Sequence, residues 1–302
     1  MSTLIPRYLE WYEVDGIELA TFGYAISSIS KGTPDRKGKN YESPVIHGDQ
    51  FRQKRLSPRK ETWTIWICDA HPTTGVIPST EEGKRAQYNE NYDTIMKLLN
   101  NTAELLTVKH YRIISSSPTV YAIREGFCEI EGSFSIDDHK ELMYSQFGVD
   151  VNFPDPRWYE ETGEETTLTA NLVSASSTSV AHNGSSQAGT APITYMQIIF
   201  QGGSGGLVNP KLTNSTYPNS TSTIGYTGTI AAGHKVYIDT DSLSLETWNP
   251  ATPSVYTNAI SGLYRYGSRQ DWMEIFPTSN TLTFSATSGQ GTITIIYKKT
   301  YI

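Results

Sequence analysis

The chain has 302 residues and a formal net charge of −7. That length exceeds the usual size of a single hydrophobic core, so two domains are expected, and the acidic balance argues against a general nucleic-acid binder. No apolar run approaches the roughly 20 residues that a membrane-crossing helix needs, and the opening MSTLIPRYLEWYEV lacks the basic region and apolar core of an export signal.

In chain order, residues 8–14 and 17–29 read as strands. Asp15-Gly16 between them is a two-residue hairpin turn, since glycine accepts a positive φ at no steric cost. Residues 32–44 are a polar loop rich in turn residues. Eight basic residues then fall between Arg36 and Lys60 (Arg36, Lys37, Lys39, Arg52, Lys54, Arg55, Arg59 and Lys60), opposed there by Glu42 and Asp49. Such a run is either a solvated face or a contact surface for an acidic neighbour or phosphate. Residues 61–69 read as a buried strand ending in a turn at His71-Pro72. A helix is predicted over 79–101, with Ser79 and Glu82 as a capping box. Tyr88, Tyr92, Ile95, Leu98 and Leu99 fall on one helical face, which marks a core stripe rather than a cofactor site. Strands follow over 104–114, 119–136 (bent near Gly126) and 142–153.

The stretch FGVDVNFPDPRWY, residues 147–159, is the seam of the chain. Phe147, Val149, Val151 and Phe153 alternate as in a strand, and Pro154 and Pro156 stop it, because each removes a backbone donor and fixes φ. Residues 1–157 hold 18 of the 24 Lys and Arg and 22 of the 31 Asp and Glu. The remainder is rich in Ser, Thr, Gly and Asn. The expected division is therefore a first domain over 1–157, an acidic linker over 158–166 and a second domain over 167–302. Short strands are expected at 167–173, 193–200, 223–230, 235–240, 244–248, 262–266, 271–276, 281–286 and 292–301. With no helical periodicity among them, they argue for a β-sandwich. The fold class is mainly β: a β-barrel or sandwich carrying one packed helix, then a second β-sandwich.

Catalytic signals are weak. Gly202-Gly203-Ser204-Gly205-Gly206 matches the nucleophile-elbow pattern, but no helix follows, and it reads as a flexible loop. Cys68 and His71 have metal-like spacing without a second ligand pair. Asp137-Asp138-His139 sits where a turn is expected. Asp239 and Asp241 could pair for acid–base work, but nothing marks a cleft. No catalytic, cofactor or metal residue is assigned. Cys68 and Cys128 are expected to be thiols in a reducing compartment. The sequons at Asn183, Asn214 and Asn219 read as chance matches in Ser/Thr-rich segments.

The order of short motifs resembles the distal tail proteins of long-tailed, non-contractile bacteriophages, also called siphovirus-type tail components or minor tail proteins. The resemblance rests on the opening hairpin YLEWYEVDGIEL, Gly38 with the later VIHG, the Arg-rich segment leading into TWTIWI, the exit VNFPDPRWY, and KVYIDTD with DWMEIFPTSNTLTF. The family's closing turn reads here Pro277-Thr278-Ser279-Asn280, with Thr278 in place of a glycine. The resemblance implies a hexameric ring that joins the tail tube protein to the tail-tip hub or tail-associated protein, with the tape measure protein as a further candidate partner. It implies a virion protein of the tail tip or baseplate, assembled in the host cytoplasm and without enzymatic activity. Its first domain would build the ring, and its second would project as a galectin-like or jelly-roll sandwich. Arg36, Lys39, Arg52, Lys54 and Arg55 are then candidate inter-subunit contacts. The alternative is a protein that binds host-surface glycan through its second domain, with Trp248, Tyr256, Tyr264 and Trp272 as candidate stacking rings. Against that stands the tendency of large aromatics to fill cores.

Overall fold

The computed structural model describes residues 10–34, 36–37, 41–42, 49–50, 55–100, 105–113, 121–131, 137–139, 143–173, 176–216, 221–266 and 273–302. The chain divides into two compact units, Met1–Trp158 and Tyr159–Ile302, both built on antiparallel β-sheet.

In the first unit the strand path is Ile17–Glu18, Glu10–Val14, Leu106–Ile113, Tyr121–Glu131, Tyr144–Phe153, Arg59–Cys68 and Tyr24–Lys31. The hairpin turn has Asp15 at φ 47° and Gly16 at φ 79°, the left-handed pair that a two-residue turn between right-twisted strands requires. Strand Tyr121–Glu131 serves both halves of the path. It pairs with Leu106–Ile113 as far as Cys128 and with Tyr144–Phe153 from Glu129 onward. Period-two alternation buries Phe147, Val149, Val151 and Phe153 on one strand and Trp63, Ile65 and Ile67 on its neighbour. Together with Tyr12, Val14, Leu106, Val108 and Cys128 they supply the core.

The helix spans Glu81–Leu99. Its N-cap is Thr80, whose Oγ1 accepts from the Gly83 N–H at 3.1 Å, rather than the predicted Ser79 box. The buried face is Tyr88, Asn91, Ile95, Leu98 and Leu99, with Tyr92 half-buried. Asn91 is the polar member, and it anchors the helix by donating to Cys68 O at 2.7 Å and Ala70 O at 2.9 Å. Those two carbonyls lie where strand Arg59–Cys68 ends, so the amide ties the helix to the end of that strand.

The second unit is a sandwich. One sheet runs Thr166–Leu172, Ser288–Tyr297, Met196–Val208, Lys235–Asp239, Ser244–Trp248 and Tyr256–Asn258. The other runs Ser177–Val180, Leu282–Ser285, Lys211–Asn214, Ser222–Tyr226 and Leu263–Tyr266. Their inner faces meet in one apolar cluster that includes Leu168, Ile198, Phe200, Leu212, Ile224, Val236, Ile238, Leu245, Phe284, Ile293 and Ile295. On the outer face of the first sheet, direct cross-strand partners form a row: Asn171, Thr292, Gln201, Lys235, Trp248 and Tyr256.

Three local expectations change in this unit. Residues 202–206 are strand, not a flexible loop: they lie within Met196–Val208, with a bulge between Gly202 and Leu207. A Cβ on Gly202 would meet Ala231 O at 2.3 Å, so this glycine marks close backbone approach. Strands Ser177–Val180 and Lys211–Asn214 and a short helix, Ser185–Ala188, were not anticipated. Conversely, of the strand predicted over 271–276 the described part contributes a single bridge, Ile275 to Ile193.

Candidate functional site

The basic segment between Arg36 and Lys60 is not one surface. Arg36–Lys37 pairs with Arg55–Leu56, and Tyr41–Glu42 pairs with Asp49–Gln50. Two short antiparallel ladders, together called the arm, thus lie in sequence between strands Tyr24–Lys31 and Arg59–Cys68. Arg36 and Arg55 are backbone members of that arm, whereas Lys39, Arg52 and Lys54 lie outside the described residues. Lys60 is exposed and pairs with Glu131. Arg59 departs from the rest, being only 5% exposed.

Arg59 faces inward because strand alternation puts Arg59, Glu61 and Trp63 in phase with Ile65 and Ile67. Its guanidinium carbon lies 4.3 Å from the Phe153 ring centroid and 4.6 Å from that of Trp158. Nη1 donates to Pro156 O at 2.8 Å, and Nε lies 3.2 Å from Glu61 Oε1. Burial pulls the guanidinium below its usual range, and Glu61 pushes it back. Trp63 Nε1 donates to the other Glu61 oxygen at 2.9 Å. The turn that follows is closed by Asp155, which accepts two bonds at 2.8 Å from the Arg157 guanidinium and a third, at 3.1 Å, from the Arg157 N–H. The seam VNFPDPRW is thus clamped from both sides: by Arg59 from the sheet and by Asp155 from within.

Beside this cluster His110 stacks on Tyr12, with centroids 4.7 Å apart, and its Nε2 lies 3.0 Å from Glu10 Oε2. Burial lowers His110 to about 4, and Lys31 and Arg124 act in the same direction, against the bond to Glu10. Burial pushes the Glu10 carboxyl up, but Lys31 and His110 together hold it below the usual range.

The four candidate stacking rings are not brought together. Trp248 and Tyr256 are cross-strand partners on the outer face of one sheet. Tyr264 belongs to the edge strand of the other sheet, where the Lys211 ammonium covers its ring at 3.9 Å. Trp272 lies outside the described residues. None of the three described rings fills the core: Trp248 and Tyr264 are half-buried and Tyr256 is 51% exposed. Tyr266, 68% exposed on the same strand as Tyr264, was missed; its place in a β-rich segment carries no sign of which face it takes.

The residues weighed for catalysis have local structural partners. The Ser204 hydroxyl accepts from the Gln290 amide. Asp239 Oδ1 accepts from the Asp241 and Ser242 N–H groups at 2.8 and 3.2 Å, a side-chain turn. His71 Nδ1 accepts from the Thr73 and Thr74 N–H groups, and Cys68 donates to Phe22 O. Among the described residues no three His, Cys, Asp or Glu side chains gather as metal ligands; the side chains of 137–139 are not among those described. In the closing turn Thr278 does not take a positive φ, and Asn280 ties the backbone together. Its Nδ2 donates to Phe276 O at 2.9 Å and Thr278 O at 2.7 Å, while its Oδ1 accepts from the Phe276 N–H at 3.0 Å and Asn214 Nδ2 at 3.0 Å.

No protein-family model matches the chain, and no curated protein matches it. Among solved structures it is similar to the crystal structure of the SPP1 Dit (gp 19.1) protein, described as a paradigm of hub adsorption apparatus in Gram-positive infecting phages. The two are 13% identical with a TM-score of 0.56, over 98% of this chain and 100% of that one. A chain of the phage P2 baseplate in its activated conformation with Ca is similar at 8% identity and a TM-score of 0.42, over 95% of this chain and 98% of that one. The mainly β architecture described above is thus similar in fold to that of the SPP1 Dit protein.

Proposed function

We propose that this chain is a structural protein of a bacteriophage tail tip, acting as an adaptor without catalytic activity. The observation that carries the reading is the fold likeness to SPP1 Dit over 98% of this chain and 100% of the other. A match that spans both units supports a shared architecture rather than a shared module. On this reading the chain is a distal tail protein that closes into a hexameric ring. The ring connects the tail tube protein to the tail-tip hub, with the tape measure protein as a further neighbour. The first domain, over 1–157, builds the ring, and the second, over 167–302, projects from it.

Physical features agree with this role. An open antiparallel sheet presents unpaired edges, and a closed ring of identical subunits is one way to cover them. The arm carries Arg36 and Arg55, and the chain between its ladders contributes Lys39, Arg52 and Lys54. Such an arm is suited to an acidic neighbouring subunit or tube surface.

Native mass measurement of the purified chain is the direct test. The expectation is a particle six times the 33.6 kDa chain mass, formed alone or on mixing with tail tube protein, and a shift to monomer on reversing charge at Arg52, Lys54 and Arg55. A chain that stays monomeric with and without tube protein overturns the ring. A charge-reversed variant that assembles normally removes the arm from the interface.

A further inference from the structure

The outer face of the larger sheet in the second unit is built of different chemistry from an ordinary solvated β surface. Ser and Thr dominate the other outer face, where Thr213 and Thr223 bond to each other through their hydroxyls. Here the cross-strand rows bring together an indole, two phenols, two carboxamides, one ammonium and one carboxylate. Gln201, Lys235, Trp248 and Tyr256 follow one another in a single row. Tyr237, Glu246 and Asn258 form the adjacent row on the same face.

The rings are held in place. Trp248 Nε1 donates to Pro253 O at 3.0 Å, and the Lys235 ammonium lies 5.2 Å from the indole centroid. Tyr256 meets Tyr237 edge to face at 5.6 Å, yet remains 51% exposed. Fixed aromatic platforms lose little conformational entropy when something stacks on them. Around them stand groups that can both donate and accept: Gln201 and Asn258 are exposed, and Asn258 Oδ1 is engaged by the Ile260 N–H at 3.0 Å while its NH₂ offers two donors. The charges of Lys235 and Glu246 balance, which gives no attraction for a polyanion. The four strands that carry these residues, spaced about 4.8 Å apart, make the row about 14 Å long, the reach of about three sugar rings rather than one.

We propose that this face binds a neutral oligosaccharide, with Trp248 and Tyr256 as stacking platforms and Gln201, Lys235, Glu246 and Asn258 as partners for its hydroxyls. Tyr264 is excluded, because it belongs to the edge strand of the other sheet. The proposal goes beyond the adaptor reading and does not require the ring.

The test is titration of the full chain with linear hexaoses of glucose, galactose, mannose and N-acetylglucosamine, read by calorimetry and tryptophan fluorescence. Poly(glycerol phosphate) serves as an anionic control. Saturable binding of at least one hexaose is expected. Tyr256→Ala and Glu246→Gln should each weaken it by about tenfold, the loss of one well-placed contact, with thermal unfolding unchanged. Trp248→Ala should weaken it further, and the exposed Asn258→Ala provides a second variant if the indole is needed for folding. Binding of none of the four hexaoses, binding of the polyanion alone, or affinity unchanged in Tyr256→Ala and Glu246→Gln would each overturn the proposal.

Discussion

Replacing Arg59 with methionine tests whether the seam is held by a buried charge. The substitution keeps an unbranched apolar stem between Phe153 and Trp158 but removes the partner of Glu61, a residue 3% exposed. It also strands Pro156 O, which accepts from Arg59 at 2.8 Å. Leaving one member of a buried pair uncompensated costs about 3–5 kcal/mol. The double variant Arg59→Met/Glu61→Gln removes both charges and keeps an acceptor for Trp63 Nε1. It should recover most of that loss and lie within about 1–2 kcal/mol of the native chain. Urea unfolding followed by tryptophan fluorescence is suited to the measurement, because Trp11, Trp63, Trp66 and Trp158 lie in the first unit and Trp248 and Trp272 in the second. If Arg59→Met costs less than about 1 kcal/mol, the range of an exposed pair, or if the double variant is no more stable than the single one, the clamp argument fails.

Two further outcomes follow from the geometry. Gly202→Ala and Gly289→Ala should each destabilise the second unit by more than about 2 kcal/mol, the scale of a steric or strained-backbone defect. A Cβ would meet Ala231 O at 2.3 Å in the first case. In the second it would meet Gly206 O at 2.2 Å, on a residue whose φ is +92°. Gly205→Ala, with nothing within 4 Å, is the internal control, and equal thermal unfolding for all three variants would refute the close-approach reading. Stability should also fall with pH between 6.5 and about 4 as His110 is pressed to protonate. Its folded value lies below its unfolded one, so the unfolded chain takes up the proton first, and the contribution is full above 6.5 and lost on acidification. Glu10, held low by Lys31 and His110, adds a second loss below 4.5. His110→Phe should flatten the upper part of that profile in the first-unit transition, and a profile unchanged by the variant would show that the drop arises elsewhere.

Local patterns were sufficient for much of the mainly β fold. Asp15-Gly16 specifies its own turn, alternation from Phe147 to Phe153 specifies a half-buried strand, and the spacing of Tyr88, Ile95, Leu98 and Leu99 specifies the helix face. Each signal is carried by residues within a few positions of one another, which is the range over which backbone preference and side-chain period act. The interaction surface was legible only in part. Trp248 and Tyr256 could be named as exposed-ring candidates, but not their adjacency, because cross-strand register depends on pairing that no single segment contains.

Tertiary structure decided the points at which local chemistry points the wrong way. Arg59 reads as one more surface cation in a basic run, yet its partners Phe153, Pro156 and Trp158 lie more than 90 positions further on, and only their arrival makes burial of a guanidinium tolerable. Gly202 to Gly206 read as a flexible loop because glycine lowers strand propensity. They lie in a strand paired with Ser288–Tyr297 and Thr229–Ile230, and at Gly202 the Ala231 carbonyl leaves no room for a Cβ. Tyr264 looks equivalent to Tyr256 along the chain, and the crossing from one sheet to the other after Asn258 gives it different company. Composition and period thus determined many of the strands and the helix Glu81–Leu99. Where period gave no such sign, as at Arg59, Tyr256 and Tyr266, the face was settled by partners distant in sequence.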